Sequence, residues 1–534
     1  MSEATKTYKP HGLRHADVWI VCLVVASNEI SAQVAVISRM KLRLRRIGID
    51  THRESIAFLD DEDLIGRALG LHPLDRVEVS ANGRTVLAVL NTVEGTVLQE
   101  GTIGLCNTAF EKLGVSEDTI VDVTPAEPPA SADLLHAKMA GKELTQPELT
   151  AIVNDIVHGR FSKVELTAFV VSTKIFGLSD DEIIGLINAM VETGEGLKFN
   201  SQVVADKHCT GGVPGNRTTP IVVSIAAAAG LIIPKTSSRS ITSPCGTADT
   251  MEMLMNVELS PDRIYDTVKK TNGCLAWGGA LNLAPADDML IQVEHPLRID
   301  VEGLMISSIL AKKKAAGSTH ILLDIPYGLG TKAADIERAT HLKERFERLA
   351  SRLGLNLRVL LTDGAQPIGN GIGPVLEAQD VLKVLRNDPD APDDLRRKSL
   401  HLAGELLELS GRCSGEGHEL AENILRSGKA YEKFETIREI QGRRESPPLG
   451  SHIKRIFSEK SGKVTGINNR VISRTAQLVG APTNPGAGVQ LDIHVGDFVD
   501  AGDSLLTIYA DSDEALSYAV RHWQENQNFN ITVS

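Results

Sequence analysis

Aromatic side chains make up only 4% of this 534-residue sequence. That is too few for the stacking platforms that grip single-stranded nucleic acid. Basic residues are also outnumbered, 56 Lys and Arg against 69 Asp and Glu, leaving a net charge of −13. A nucleic-acid partner is therefore not expected, and any anionic ligand must be held by local donors against the overall field. The six cysteines are scattered, with no CxxC pair and no histidine cluster at metal spacing, so neither a disulfide scaffold nor a metal site is expected. Long apolar runs are missing as well. The longest, Val18 to Ala26, falls far short of the ~20 residues a membrane helix needs, follows a charged stretch without a cleavage signal, and reads as a buried strand. The expectation is a cytoplasmic chain with no membrane partner.

What is present is an ordinary globular composition, 42% apolar and 23% charged, long enough for three or four cores. From Val18 to about Val123 the runs are short and β-branched (VWIVCLVV, VAVIS, RVEVS, TVLAVLNTV, TVLQ, DTIVDVT). Residues 1–15 read as a loose tail, and the proline- and acid-rich stretch 124–133 as a linker. A helical period follows, with four segments between Leu134 and Glu195 that open at Thr or Ser or close at Gly. Beyond Phe199 apolar β runs alternate with helices, the mark of an α/β layer. A second linker, GRRESPPLG, precedes a strand-rich end. The expected fold class is α/β multidomain: an N-terminal β-rich module (1–130), a helical domain (131–198), a central α/β phosphate-binding domain (199–440) and a C-terminal α+β domain (441–534).

Three clusters carry candidate chemistry. In VVADKHCTGGVPGNRTTP, a strand ends at Asp206, Gly211, Gly212 and Gly215 fold the backbone tightly, and Thr218-Thr219-Pro220 opens a helix with cap hydroxyls and an N1 proline. With Lys207 this makes an anion nest, although the same pattern also serves plain strand-to-helix turns and is not a Walker loop. The second cluster, PKTSSRSITSPCGTADTMEML, sets hydroxyl side chains and Arg239 after a short strand, with Asp249 and Glu252 as a capping pair. Alone it reads equally as a solvated loop. Two such loops at strand ends suggest one oxyanion between them. In the third cluster Ser308 and Lys312 share one helix face, Asp300 stands just before that helix as ligand or cap, and Lys313 and Lys314 read as solvated partners of the helix C-terminus.

KHCTGGVPGNRTTP, SSRSITSPCGTADTME and SSILAKK together resemble the thymidine and pyrimidine nucleoside phosphorylase family, and most closely its longer branch with the AMP phosphorylases. NLAPAD (282–287), LLTDGAQPIGNGIGPVLEAQ (360–379) and VTGINNRVISRTAQLVG (464–480) extend the match. The resemblance implies attack of phosphate on the anomeric carbon of a nucleoside, releasing base and sugar 1-phosphate. It implies phosphate ligands at Lys207, Gly211, Gly212, Thr218, Ser237 and Thr247, with Cys209 where the family commonly has serine. It implies nucleoside or nucleotide contacts at Ser238, Arg239, Ser240, Ile241, Thr242, Ser243, Ser308, Lys312 and Lys332, and a proton donor at Asp300 or His208, Asp300 being favoured. Counting back from Ser308, the base-reading Tyr and Arg of the shorter enzymes fall on Leu290 and Val293, neither of which can read a pyrimidine. No cofactor or metal is implied beyond inorganic phosphate as co-substrate, and at least a homodimer is expected. The alternatives are a nucleoside 5′-monophosphate (AMP) phosphorylase, for which Lys332 would hold the second phosphate, and, less favoured, a phosphoribosyltransferase or a non-catalytic nucleotide-binding protein.

Overall fold

In the computed structural model the described residues are 4–8, 20–24, 39–51, 54–60, 71–95, 97–99, 101–240, 243–297, 299–526 and 530–534. The chain divides into two compact units: residues 1–132 with 158–162, and residues 133–157 with 163–534.

The first unit is built on a closed barrel with strand order Met40–Arg46, Thr102–Leu105, Ile56–Asp60, Arg84–Val93, Arg76–Ala81, Ile120–Pro125, the last pairing back to the first. Closure leaves no open edge. Along Met40–Arg46 the alternation is strict: Met40, Leu42 and Leu44 are buried, and Lys41 and Arg43 are exposed. The sequence reading missed this strand, because alternating Lys and Arg look like a charged loop until the period of two is counted, and it missed the short run Ile56–Asp60, which has no such alternation. TVLQ, expected as a strand, instead bends at Val97 and Leu98 into Thr102–Leu105, where glycines at 95 and 101 with positive φ turn the chain. Residues 1–15 are not wholly a loose tail either. Ala4–Tyr8 forms a strand antiparallel to Ile20–Val24, inside the expected VWIVCLVV run. VAVIS lies outside the described residues.

The second unit opens with helices Ala132–Met139, Gln146–Val157, Lys163–Phe176 and Asp180–Glu192. The last begins at a full capping box, in which Ser179 Oγ accepts from Glu182 N and Glu182 reaches back to Ser179 N. Two later helices, Pro285–Leu297 and Glu302–Ala315, pack on this group. Sequence order hides that arrangement, since the chain leaves for the sheet and returns.

The sheet runs Asn356–Asp363, His320–Tyr327, Ala205–Cys209, all parallel. A parallel bridge, Val204 to Ile232, links it to the parallel pair Ile233–Ser237 and Gly273–Trp277. His320–Tyr327, Ile233–Ser237 and Gly273–Trp277 are buried on both faces, as parallel strands covered by helices are, whereas the edge strand Asn356–Asp363 is only partly buried. Helix Thr218–Ala228 is almost wholly buried in the core it shares with Pro374–Arg386, Asp393–Leu409, Gly417–Arg426 and Lys429–Gln441. At the C-terminal end, Gly488–Leu491, Ser504–Ala510 and His452–Phe457 form an antiparallel sheet that also recruits Gly371–Ile372 from the α/β stretch. Helices Asn469–Leu478 and Asp513–Glu525 pack with it.

Candidate active site at the strand ends

The loops after Cys209, Ser237, Tyr327 and Asp363 all leave the sheet at its carboxyl edge, where ligands of open α/β sheets gather. Gly211 and Gly212 hold φ of +87° and +93°, conformations that L side chains rarely adopt. At Gly212 the absence of a side chain is also steric, since a Cβ would sit 2.7 Å from Thr331 Cα. The first glycine loop therefore lies directly against the loop carrying Lys332.

Arg217 ties the first and second loops together. It is the residue before helix Thr218–Ala228, and its guanidinium donates to Thr247 Oγ1 at 3.1 Å and to the Cys245 carbonyl at 2.8 Å. A third interaction pairs it with Glu377, whose side chain is fully buried. Burial works against the Arg217 charge, but Glu377 outweighs it and raises its pKa. The two hydroxyl-rich loops are thus neighbours, joined by a residue the sequence reading passed over. The available signal was the pairing of GNR with GPVLEAQ across 160 residues, invisible without the fold.

Lys207 is fully buried and donates to Thr218 Oγ1 at 2.8 Å and, more weakly, to Thr219 Oγ1 at 3.4 Å. The helix-opening threonines therefore serve the lysine rather than capping, and Pro220 falls at the third helical position, not the first. Burial, Lys398 and Arg217 push the Lys207 pKa down while Asp324 opposes. Asp324 is itself held low by Lys398 and Lys207 against the cost of its burial. Two buried hydroxyls here, Ser237 Oγ and Thr210 Oγ1, have no hydrogen-bond partner. Such orphans cost about 1–3 kcal/mol each unless something binds them, and an oxyanion between the loops would satisfy them. Cys209 Sγ accepts from Gly211 N at 3.4 Å and Asn216 Nδ2 at 3.5 Å.

Beneath lies a second buried network. Asp206, with 1% exposure, meets Lys235 Nζ at 3.1 Å and Lys313 Nζ at 2.7 Å, and Ser318 Oγ donates to it at 3.3 Å. Lys313 is thus not the solvated helix-end charge expected from sequence; it is packed inward as a counter-ion, while Lys314 donates to Asn188. His208 feels these cations. Burial first, then Lys313, Lys235 and Lys207, push its pKa well below the usual imidazole value, so at neutral pH it is uncharged and has no imidazolium proton to give.

The expected nucleotide stretch is largely occupied with itself. Ser240 N donates to Asp249 Oδ2 at 2.7 Å, Ser240 Oγ to the Ser243 carbonyl, and Ser243 Oγ to the Cys245 carbonyl at 2.9 Å. Asp249 also accepts from Gly246 N at 2.8 Å and sits in the first turn of helix Thr247–Glu252, whereas Glu252 closes that helix. Ser238 contributes its carbonyl to Ala248 N. Arg239 is bound by Glu252, Asp249 and Glu258 and lies over the Trp277 ring at 4.7 Å. Ile241 and Thr242 lie outside the described residues.

On the helical side, Ser308 Oγ donates to Asp287 Oδ2 at 2.8 Å, and Lys312 Nζ lies 2.7 Å from the same oxygen and 3.0 Å from Asp288 Oδ1. Asp287 is the last residue of NLAPAD, so two motifs meet here. Burial works against the Lys312 charge, but Asp287 and Asp288 more than offset it and raise its pKa. Asp300 is not the helix cap, a position held by Val301. Its exposed carboxylate pairs with Lys332, and its carbonyl accepts from Lys174 Nζ at 2.7 Å. Leu290 and Val293 are packed in the core at 1% and 6% exposure.

Comparison with known proteins fits this arrangement. The helical bundle domain of a glycosyl transferase family matches residues 132–194, the a/b domain of that family matches 201–431, and the pyrimidine nucleoside phosphorylase C-terminal domain matches 463–530. A protein of Methylococcus capsulatus named "Putative thymidine phosphorylase" is 46% identical over 92% of this chain and 96% of its own length. A namesake from Albidiferax ferrireducens is 48% identical over 90% and 93%. The chain belongs to the thymidine phosphorylase family. The three matched ranges are the helical, α/β and C-terminal parts seen here, and the barrel lies outside them. Among solved structures, an anthranilate phosphoribosyltransferase from Thermus thermophilus aligns at a TM-score of 0.48 and 20% identity, over 58% of this chain and 99% of that one. Among the described residues no helix is long and apolar enough to cross a membrane.

Proposed function

We propose that this chain is a pentosyltransferase that cleaves thymidine or a related nucleoside with inorganic phosphate, giving free base and sugar 1-phosphate. The observation that carries the proposal is the pair of loops after Cys209 and Ser237. They are tied by Arg217 and lined by buried hydroxyls without partners, in a chain whose relatives bear the thymidine phosphorylase name. Lys207, Thr218, Ser237, Thr247 and the amides of Gly211 and Gly212 hold the phosphate, where fixed donors and a helix N-terminus stabilise its charge without the help of bulk water. Ser308 and Lys312 meet the base once Asp287 and Asp288 release or share them.

The helical side then closes on the sheet, bringing the nucleophile within attack distance of the anomeric carbon. No cofactor enters the scheme. The acid that protonates the leaving base is a carboxyl on the Asp300 side of the cleft, since His208 is held neutral. The relatives' names do not favour the 5′-monophosphate alternative, and Lys332, its expected anchor, is engaged by Asp300. Val164, Ile175 and Phe176, exposed at 78%, 69% and 52% on helix Lys163–Phe176, support the proposed homodimer as an apolar face for a second copy. The free cysteines at 106, 209, 245, 274 and 413 suit a cytoplasmic location.

The test is base release from thymidine, other nucleosides and 5′-monophosphates by the purified chain. Release from thymidine that requires phosphate and persists in EDTA is expected. Release only from 5′-monophosphates, or only with diphosphate and magnesium, would refute the proposal.

A further inference from the structure

Helix Pro285–Leu297 carries, two turns beyond Asp287, a carboxyl that no motif singles out. Seven residues bring the helix back to within roughly 20° of the same face, so Glu294 continues the line that starts at Asp287. Asp287, on which Ser308 and Lys312 gather, and the Asp300–Lys332 pair are all close enough to act on its charge. Leu290 and Val293 are packed away. Glu294 is half-buried and, among the described residues, its carboxyl has no hydrogen bond or ion pair, whereas the carboxylates of Asp287, Asp288 and Asp300 are each bound to a lysine.

We propose that Glu294 delivers the proton to the departing base. This role rests on the phosphorolysis proposed above. A phosphate oxygen bonds to the anomeric carbon, the carbon–nitrogen bond breaks with its electron pair leaving on the base, and the Glu294 proton passes to the base. Hydrogen phosphate brings one proton of its own; released from the sugar 1-phosphate, it restores the carboxyl, so protons balance over the cycle. Burial, with Asp287 and Asp300 adding repulsion and Lys332 opposing, raises the Glu294 pKa to about 7, so the acid is populated at working pH. Of the other charges nearby, Lys312 is spent on Asp287 and Asp288, and Lys174, from helix Lys163–Phe176, is bound to the Asp300 carbonyl.

The test is the full chain carrying Glu294→Gln, assayed with thymidine and with the deoxynucleoside of 5-nitrouracil, a base that leaves without help. With thymidine kcat is expected to fall by about 100-fold or more, the usual contribution of a positioned acid. With the nitro substrate the loss should shrink to about 10-fold or less, because a stable leaving anion needs little protonation. The phosphate KM is expected to hold, and the decline of kcat above about pH 7 to vanish. Glu294→Asp, which keeps the acid on a shorter stem, should regain part of the rate and so separates chemistry from folding. Equal losses on both substrates, a change confined to KM, or full activity in Glu294→Gln with loss only in Asp300→Asn would overturn the assignment. No phosphate-dependent base release by the unaltered protein would overturn the phosphorolysis itself and this role with it.

Discussion

Arg217→Met is the substitution whose consequences the structure defines most completely. The guanidinium is the counter-ion of Glu377, a carboxylate with no exposed surface whose other donors among the described residues are Thr250 Oγ1 at 3.2 Å and Gly373 N at 3.2 Å. Removing the cation leaves a buried charge uncompensated, a change that costs about 3–5 kcal/mol. At about 2–4 °C per kcal/mol that is a fall in Tm of roughly 6–20 °C. Adding Glu377→Gln removes the stranded charge while keeping an acceptor for Gly373 N and a group that can bond Thr250. The double variant should recover about 2 kcal/mol or more.

Phosphate binding should not recover with it. Thr247 Oγ1 has lost the donor that fixes it, and the second loop is no longer tied to the first, so the phosphate KM should rise about tenfold, the equivalent of one hydrogen bond of about 1.4 kcal/mol, in single and double variants alike. Urea denaturation followed by circular dichroism gives the stabilities, and initial rates at varied phosphate give the KM. Two results would refute the reasoning. One is a double variant no more stable than Arg217→Met. The other is a phosphate KM that returns to normal together with stability, which would make Arg217 a scaffold residue without a part in joining the loops.

Ser237→Ala removes a buried hydroxyl that has no partner in the free protein, so stability to urea should hold or rise slightly. The phosphate KM should increase about 10- to 100-fold, matching a hydrogen bond to a charged group of about 1.5–3 kcal/mol; lost stability with an unchanged KM would count against the anion site. Gly212→Ala places a Cβ 2.7 Å from Thr331 Cα at a φ of +93°, and should cost about 1–3 kcal/mol and weaken phosphate. Gly211→Ala, with φ +87° but open space around it, should cost less in a thermal melt, and equal costs would refute the steric part. Cys209 is pushed up to about 11 by burial and then by Asp324, so at pH 8 only about 0.1% is thiolate. Iodoacetamide, with labelling at Cys209 read by mass spectrometry, should modify the folded protein slowly at pH 8 and about tenfold faster per pH unit above it; rapid labelling at pH 8 would contradict the raised thiol pKa.

How much of this was legible in the sequence depended on how locally each feature is encoded. The two phosphate loops stood out because strand end, glycines, lysine and hydroxyls follow one another within single segments, and local chain geometry dictates what such a run can do. Lys313 and Glu294 were illegible for the opposite reason. A lysine in the last turn of a helix looks solvated, and only the return of Glu302–Ala315 onto the sheet sets it against Asp206. Glu294 sits in a charged, proline-containing stretch, and counting back from Ser308 across the loop between two helices led to Leu290 and Val293, because sequence distance through a loop says nothing of which helix face returns to the cleft. Counting forward along one rigid helix from Asp287, already bound to Ser308 and Lys312, leads to Glu294 instead. Arg217 belongs with them, since its partner lies 160 residues away. The residues that take charge by joining segments were hidden, while those that offer donors to an anion from one segment were plain. An anion site assembled from several strand ends is therefore half-visible in sequence: its ligands can be read, but the counter-ions that fix their position can be found only in the fold.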